Sequence, residues 1–128
     1  MNRVLIVDDD PAARRLMAKA VSEVGLEYHL CSDGVHALDA LQCNQDYCLL
    51  IADISMPQMD GRELIETIHA ENLAPGLPII IASGVVGVRE ISDLLKVGAS
   101  LFLPKPFEIN EVMNQIRRCV DCQIGGRR

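Results

Sequence analysis

Five short apolar runs divide the chain, and a stretch with helical periodicity follows each one. The runs are Val4–Val7, Tyr28–Cys31, Cys48–Ala52, Ile79–Ala82 and Ser100–Leu103. Val4-Leu5-Ile6-Val7 and Ile79-Ile80-Ile81-Ala82 are continuous rather than alternating, the pattern of strands buried on both faces. The intervening segments carry apolar residues at helical spacing. These are Leu16, Met17, Ala20, Val21 and Val24; Ala37, Leu38 and Leu41; Leu64, Ile65 and Ile68; Ile91, Leu94 and Leu95; and Val112, Ile116, Cys119 and Val120. Pro11 behind three aspartates opens the first helix and Gly25 stops it. The second runs from the Ser32-Asp33-Gly34 turn to near Asn44, and the third follows Gly61. The fourth spans Val88 to Val97, stopped by Gly98, and the fifth runs from Glu108 to Cys122. Strand and helix alternating at this spacing predict an α/β fold, a doubly wound five-stranded parallel sheet with right-handed crossovers. At 128 residues the chain fills one domain with one real core. We expect that domain over residues 1–122, with a frayed tail at 123–128.

In such a sheet the ligand site lies beyond the carboxyl ends of the strands. The polar residues gather there. The first run ends in Asp8 and Asp9, the third in Asp53, the fourth in Ser83, and the fifth just before Lys105. A carboxylate at the end of a buried strand is costly unless something uses it. Three carboxylates on one rim repel, and a hard divalent cation is the natural remedy. Mg²⁺ suits a site with few protein carboxylates plus waters and a phosphate. A carboxylate nucleophile, a cation, an ammonium and a hydroxyl are what phosphoryl transfer to an aspartate requires.

The segments Val7-Asp8-Asp9 with Arg14-Arg15 beyond, Asp53 followed by Met56-Pro57-x-Met59-Asp60-Gly61, Ala82-Ser83-Gly84, and Lys105-Pro106-Phe107 stand at successive strand ends in one order. Together they resemble the CheY-like receiver domains of two-component response regulators, from Val4 to about Val120. The resemblance implies a 2-1-3-4-5 strand order. It implies Asp53 as phosphoacceptor, with Asp8, Asp9, Asp53 and the backbone carbonyl of Ser55 around Mg²⁺. Asp9 would be the direct ligand and Asp8 would act through water. It further implies Ser83 and Lys105 closing on the phosphoryl group, a cis Lys105–Pro106 bond, and Ser83 with Phe102 as the switch pair. The phosphoryl donor would be a phosphohistidine on a sensor histidine kinase or a histidine phosphotransfer protein. Output would pass to a downstream protein through the fourth helix, fifth strand and fifth helix, from a monomer or a phosphorylation-dependent dimer. By the same resemblance, Ser55 and Val85 would take the positions that look over the phosphate. Val85 cannot orient a water, so a long phosphoryl lifetime is expected. The apolar stretch Val85-Val86-Gly87-Val88 is expected to face a partner.

Other residues have plainer readings. Asp10 before Pro11 reads as a helix cap, and Asp33 and Asp60 as turn residues. His29, His36 and His69 are scattered and read as ordinary surface or half-buried residues. The five cysteines, an odd number, do not form a disulfide framework. Cys48 reads as core, and Cys119 and Cys122 as small hydrophobes on the last helix. A net charge of −6, no Trp, two Tyr and two Phe argue against nucleic-acid binding. No stretch is long and apolar enough for a bilayer or a signal peptide, so a cytoplasmic protein is expected. A phosphohydrolase of haloacid-dehalogenase pattern would want Asp-x-Asp at the first strand, and a flavodoxin-like carrier a hydroxyl- and glycine-rich phosphate loop there. Neither matches Asp8-Asp9-Asp10, so an enzyme beyond self-catalysed turnover at Asp53 is not expected.

Overall fold

The computed structural model describes residues 3–43, 46–54, 59–84 and 88–125, without the side chains of residue 88 and residues 121–125. The elements are β1 (Arg3–Val7), α1 (Pro11–Glu23), β2 (Glu27–Cys31), α2 (Gly34–Cys43), β3 (Tyr47–Asp53), α3 (Gly61–Ala70), β4 (Ile79–Ser83), α4 (Val88–Lys96), β5 (Leu101–Pro104) and α5 (Ile109–Gly125). All strand pairs are parallel, and the sheet order is β2-β1-β3-β4-β5. The expected fold and strand order are therefore observed.

Alternate residues of the central strands feed two cores. Val4, Ile6, Leu49, Ile51 and Ile80 pack beneath Met17 and Val21 of α1 and Val112 and Ile116 of α5. Leu5, Val7, Leu50, Ile79 and Ile81 pack beneath Leu41 of α2, Leu64, Ile65 and Ile68 of α3, and Leu94 of α4. Every residue of β3 is buried, which is why its sequence reads as continuous rather than alternating. Each fully buried branched side chain stabilises the fold by about 1.5–3 kcal/mol. One irregularity interrupts the alternation. Between Arg3 and Val4 the partner on β3 jumps from Tyr47 to Leu49. Cys48 thus joins Leu49 in the first core while Tyr47 falls in the second. The phenolic oxygen of Tyr47 lies 2.6 Å from Nδ1 of His29 on β2.

Several expectations need correcting in detail. β2 is an edge strand whose first four residues are exposed, with only Cys31 buried. Leu95 does not face inward and is 45% exposed. Leu94 is the one that enters the core, and Leu95 lines a narrow cleft beside Leu101 and Phe102. β5 begins at Leu101, one residue late, because Ser100 pairs from outside the strand. Its N–H donates to the Ile79 carbonyl, and its hydroxyl accepts from the Ile79 N–H. β5 also takes in Pro104, as an edge strand can. Helix α5 continues to Gly125, beyond Cys122.

The caps are clearer in the structure. Asp10 accepts from the N–H of Ala12 at the head of α1. Asp60, read as a turn residue, is the N-cap of α3 and accepts from the N–H of Glu63 at 2.9 Å. Asp33 Oδ1 accepts from both the N–H and the Nδ1 of His36 at the start of α2. His69 packs over Gly98, whose φ of +127° and lack of a Cβ leave room for the imidazole. Among the described residues no helix is long and apolar enough to cross a membrane.

Candidate functional site

The four buried polar or charged residues among those described are Asp8, Asp33, Asp53 and Ser83. Three of them stand at the carboxyl ends of the central strands. Asp8 follows β1, and its N–H donates to the carbonyl of Cys31, carrying the β1–β2 pairing one step further. Asp53 ends β3 and Ser83 ends β4. Lys105 follows β5, and its N–H donates to the Ser83 carbonyl at 2.9 Å. The Lys105–Pro106 peptide is cis. Parallel pairing thus delivers three side chains to one rim, and the extension of the β4–β5 ladder delivers the fourth.

The ammonium of Lys105 crosses that rim. Its Nζ donates to Asp8 Oδ2 at 2.7 Å and lies 3.4 Å from Asp53 Oδ2. Burial pushes the Lys105 pKa down, but the hydrogen bond to Asp8 and the charges of Asp8 and Asp53 outweigh it, and the net shift is upward. The ammonium therefore stays charged across the physiological range. Asp8 itself is completely buried and held on every polar atom. Oδ1 accepts from the N–H of Asp10 at 2.9 Å, and the main-chain carbonyl accepts from Nη1 of Arg14 at 2.6 Å.

Gly61 floors the site. Its N–H donates to the Ile54 carbonyl, and a Cβ there would stand 2.5 Å from the Asp53 carbonyl oxygen. Only a residue without a side chain lets α3 start so close to the end of β3. Gly34 is close to the backbone of Met59 in the same way, so the β2–α2 turn rests on the β3–α3 loop.

Asp8, Asp9 and Asp53 each offer a carboxylate oxygen, and these oxygens lie within 4.8 Å of one another. Asp9 is the exposed member. Opposite ligands of a Mg²⁺ ion stand about 4.2 Å apart, at roughly 2.1 Å per bond. An all-oxygen, all-anionic donor set of this span fits a hard divalent cation, and one open side leaves room for water or a phosphoryl oxygen. Ser55 and Val85 lie outside the described residues, as do Met56, Pro57, Val86 and Gly87. Phe102 is half-buried on β5 and packs against the core under α3 and α4. With Ile81, Ile91, Leu94 and Leu101 it lines a narrow cleft.

A profile of the response regulator receiver domain matches residues 4–117. The chain belongs to this family. The receiver domain is 35% identical over 106 residues to the chemotaxis protein CheY1 of Helicobacter pylori, covering 82% of this chain and 86% of that one. It is 34% identical over 115 residues to the response regulator MprA of a Mycobacterium species, covering 90% of this chain but only 49% of MprA. Among solved structures it superposes on a CheY-like receiver domain protein of Methanospirillum hungatei with a TM-score of 0.88, at 27% identity, covering 98% of each chain. The receiver domain of a signal transduction histidine kinase from Syntrophus aciditrophicus, at 24% identity and a TM-score of 0.82, covers 95% of this chain and 92% of that one and shares the fold.

The structure brings Asp8, Asp9, Asp53, Ser83 and Lys105 together, and it sets Phe102 apart on the β5 side. Sequence reading did not find the contact of Arg14 with Asp8, although an arginine in the first turn behind the strand-end acids was the available signal. It also treated Asp33 and His36 as unrelated, when their spacing of three along a helix start pointed to a capping pair. Cys31, beside them, is inert by environment. Burial, with the charges of Asp33 and Asp39, pushes its thiol up to about 11.

Proposed function

We propose that this receiver domain takes a phosphoryl group onto Asp53 from a phosphohistidine on a sensor histidine kinase or a histidine phosphotransfer protein. The observation that carries the reading is the Lys105 ammonium between two strand-end carboxylates, 2.7 Å from Asp8 and 3.4 Å from Asp53. A cation held there is poised to follow negative charge that arrives at Asp53.

In the transfer, an Asp53 carboxylate oxygen attacks phosphorus. The new O–P bond forms as the P–N bond to the donor imidazole breaks, and that electron pair stays on the imidazole nitrogen. Asp8, Asp9 and Asp53 would hold Mg²⁺, with the Ser55 carbonyl as the further ligand that the family resemblance implies, and the ion would supply charge neutralisation for the transferring group. Lys105 exchanges its Asp53 contact for a phosphoryl oxygen while keeping Asp8. Ser83, buried at the adjacent strand end, turns its hydroxyl toward the same group. Lys105 and Ser83 share a main-chain hydrogen bond, which ties the ends of β4 and β5 together at the site. Their movement is felt by β5 and by Phe102, and the α4–β5–α5 face changes shape for a downstream protein. The exposed Leu95 on α4 gives that face an apolar contact.

The test is labelling with acetyl phosphate and Mg²⁺. Native protein should acquire acid-labile phosphate, and Asp53→Asn should acquire none. Labelling of Asp53→Asn at the native level would falsify the acceptor assignment. Generic phosphomonoesters should show no multiple turnover with the same preparation.

A further inference from the structure

The transfer reading leaves one contact of the acidic loop without a role. Arg14 stands in the first turn of α1, half-buried, and its Nη1 reaches back six residues to the Asp8 carbonyl at 2.6 Å. A charged donor at this length makes a strong and directional bond. The Asp8 carbonyl shares a rigid peptide plane with the N–H of Asp9. Fixing that oxygen fixes the plane before Asp9, and the bond from the Asp10 N–H to Asp8 Oδ1 holds the plane after it, so the two together set the direction in which the Asp9 side chain leaves the backbone.

The rest of Asp8 is already committed. Its N–H goes to Cys31, Oδ1 to the N–H of Asp10 and Oδ2 to Lys105. Asp9 has no such enclosure. It is exposed, yet its carboxylate must meet those of Asp8 and Asp53 within a 4.8 Å span. The two peptides that flank it are what aim it: the Asp10 N–H bond holds the one after, and Arg14 holds the one before from the helix side.

We propose that Arg14 is a positioning residue for the cation site, aiming Asp9 through the Asp8–Asp9 peptide. The proposal rests on the reading of Asp8, Asp9 and Asp53 as a Mg²⁺ site. A purely electrostatic view makes the opposite prediction. A guanidinium beside a cation site repels the incoming ion, so its removal would tighten binding.

The experiment is calorimetric titration of Mg²⁺ into the native domain, Arg14→Met, Arg14→Lys and Arg15→Met, each first shown to be folded by circular dichroism. Arg15 is its exposed neighbour and controls for charge alone. Arg14→Met should bind Mg²⁺ about tenfold more weakly, as loss of an outer-shell partner does. Arg14→Lys keeps a charged donor and should recover part of that loss, and Arg15→Met should stay within twofold of native. The half-saturating Mg²⁺ for acetyl phosphate labelling should rise by the same factor in Arg14→Met. A native chain that binds Mg²⁺ but takes no label would remove the acceptor reading, while the titrations still decide the role of Arg14. A native chain that binds no Mg²⁺ would remove both readings. If Arg14→Met binds Mg²⁺ as tightly as native or more tightly, or if Arg15→Met weakens binding equally, the positioning role is overturned.

Discussion

Asp9→Asn should make the domain more stable without Mg²⁺ and less stable than native with it. Three carboxylates lie with ligand oxygens within 4.8 Å of one another, and one ammonium stands among them. Asp9 is the exposed member, so the dielectric of water is the right scale for its interactions. At 4.8 Å each like-charge pair then costs about 0.9 kcal/mol. Neutralising Asp9 removes two such pairs, a gross relief of about 1.7 kcal/mol. Its lost attraction to Lys105 offsets part of this, leaving about 1 kcal/mol of net stabilisation. For a domain of this size that raises the melting temperature by about 4 °C. The assay is thermal unfolding in a chelator, repeated at low salt and in 1 M NaCl. At 1 M the Debye length is about 3 Å, shorter than the spacing of the acids, so the difference should shrink. The native domain gains about 1.4 kcal/mol at Mg²⁺ tenfold above its dissociation constant, and the variant should gain almost none. The order of stability therefore inverts on adding Mg²⁺. If Asp9→Asn melts below native in chelator, or if Mg²⁺ raises both proteins equally, the acids are not a repelling set awaiting a cation.

Three further outcomes follow from contacts around the site. Gly61→Ala should lose about 2 kcal/mol in chemical denaturation, because its Cβ would meet the Asp53 carbonyl oxygen at 2.5 Å and neither backbone can yield freely. An unchanged midpoint would mean that the β3–α3 loop is looser than the structure has it. Asp33→Ala removes a carboxylate whose pKa lies below the ordinary 3.8, held down first by the N–H of His36 against burial, with help from its imidazole. A depressed folded pKa gives stability that is present above the unfolded value and is lost as pH falls through the folded one. The variant should therefore be less stable by about 1 kcal/mol at pH 7. Urea denaturation at a series of pH values should show that gap closing as the solution is acidified below 3.8. At pH 8, iodoacetamide should alkylate the exposed Cys43 about a hundredfold faster than Cys31, read by peptide mass spectrometry, because a thiol at about 11 has little thiolate there.

Much of this was legible in the chain because polarity and position coincide. Asp8, Asp53 and Ser83 are the residues at which continuous apolar runs stop, so the sheet had to carry them to one rim. Depth was less legible than direction. Tyr28–Cys31 reads as a strand like the others, yet Tyr28, His29 and Leu30 are exposed, since edge or centre depends on which strand lies alongside. Ile91, Leu94 and Leu95 share a helical face by period, but of the three only Leu94 is buried, while Ile91 is half-buried and Leu95 exposed. The choice of Lys105 between two acids, 2.7 Å from Asp8 and 3.4 Å from Asp53, is a matter of less than an ångström between distant segments, and no local pattern encodes it. The same holds for Arg14, whose partner is a main-chain oxygen that every residue possesses.

The unequal depth of the sheet has a consequence for how such a chain can change over generations. The acids stand at the ends of β1 and β3, strands whose residues feed both packed layers. Among its described side chains, helix α4 commits only Leu94 deeply, and Arg89, Glu90, Ser92, Leu95 and Lys96 are open to solvent. Its outer face can be redrawn residue by residue while the rim beside Asp53 stays fixed. Change on that outer face is thereby uncoupled from change at the rim, and duplicated copies can diverge in surface while inheriting the same cluster of acids.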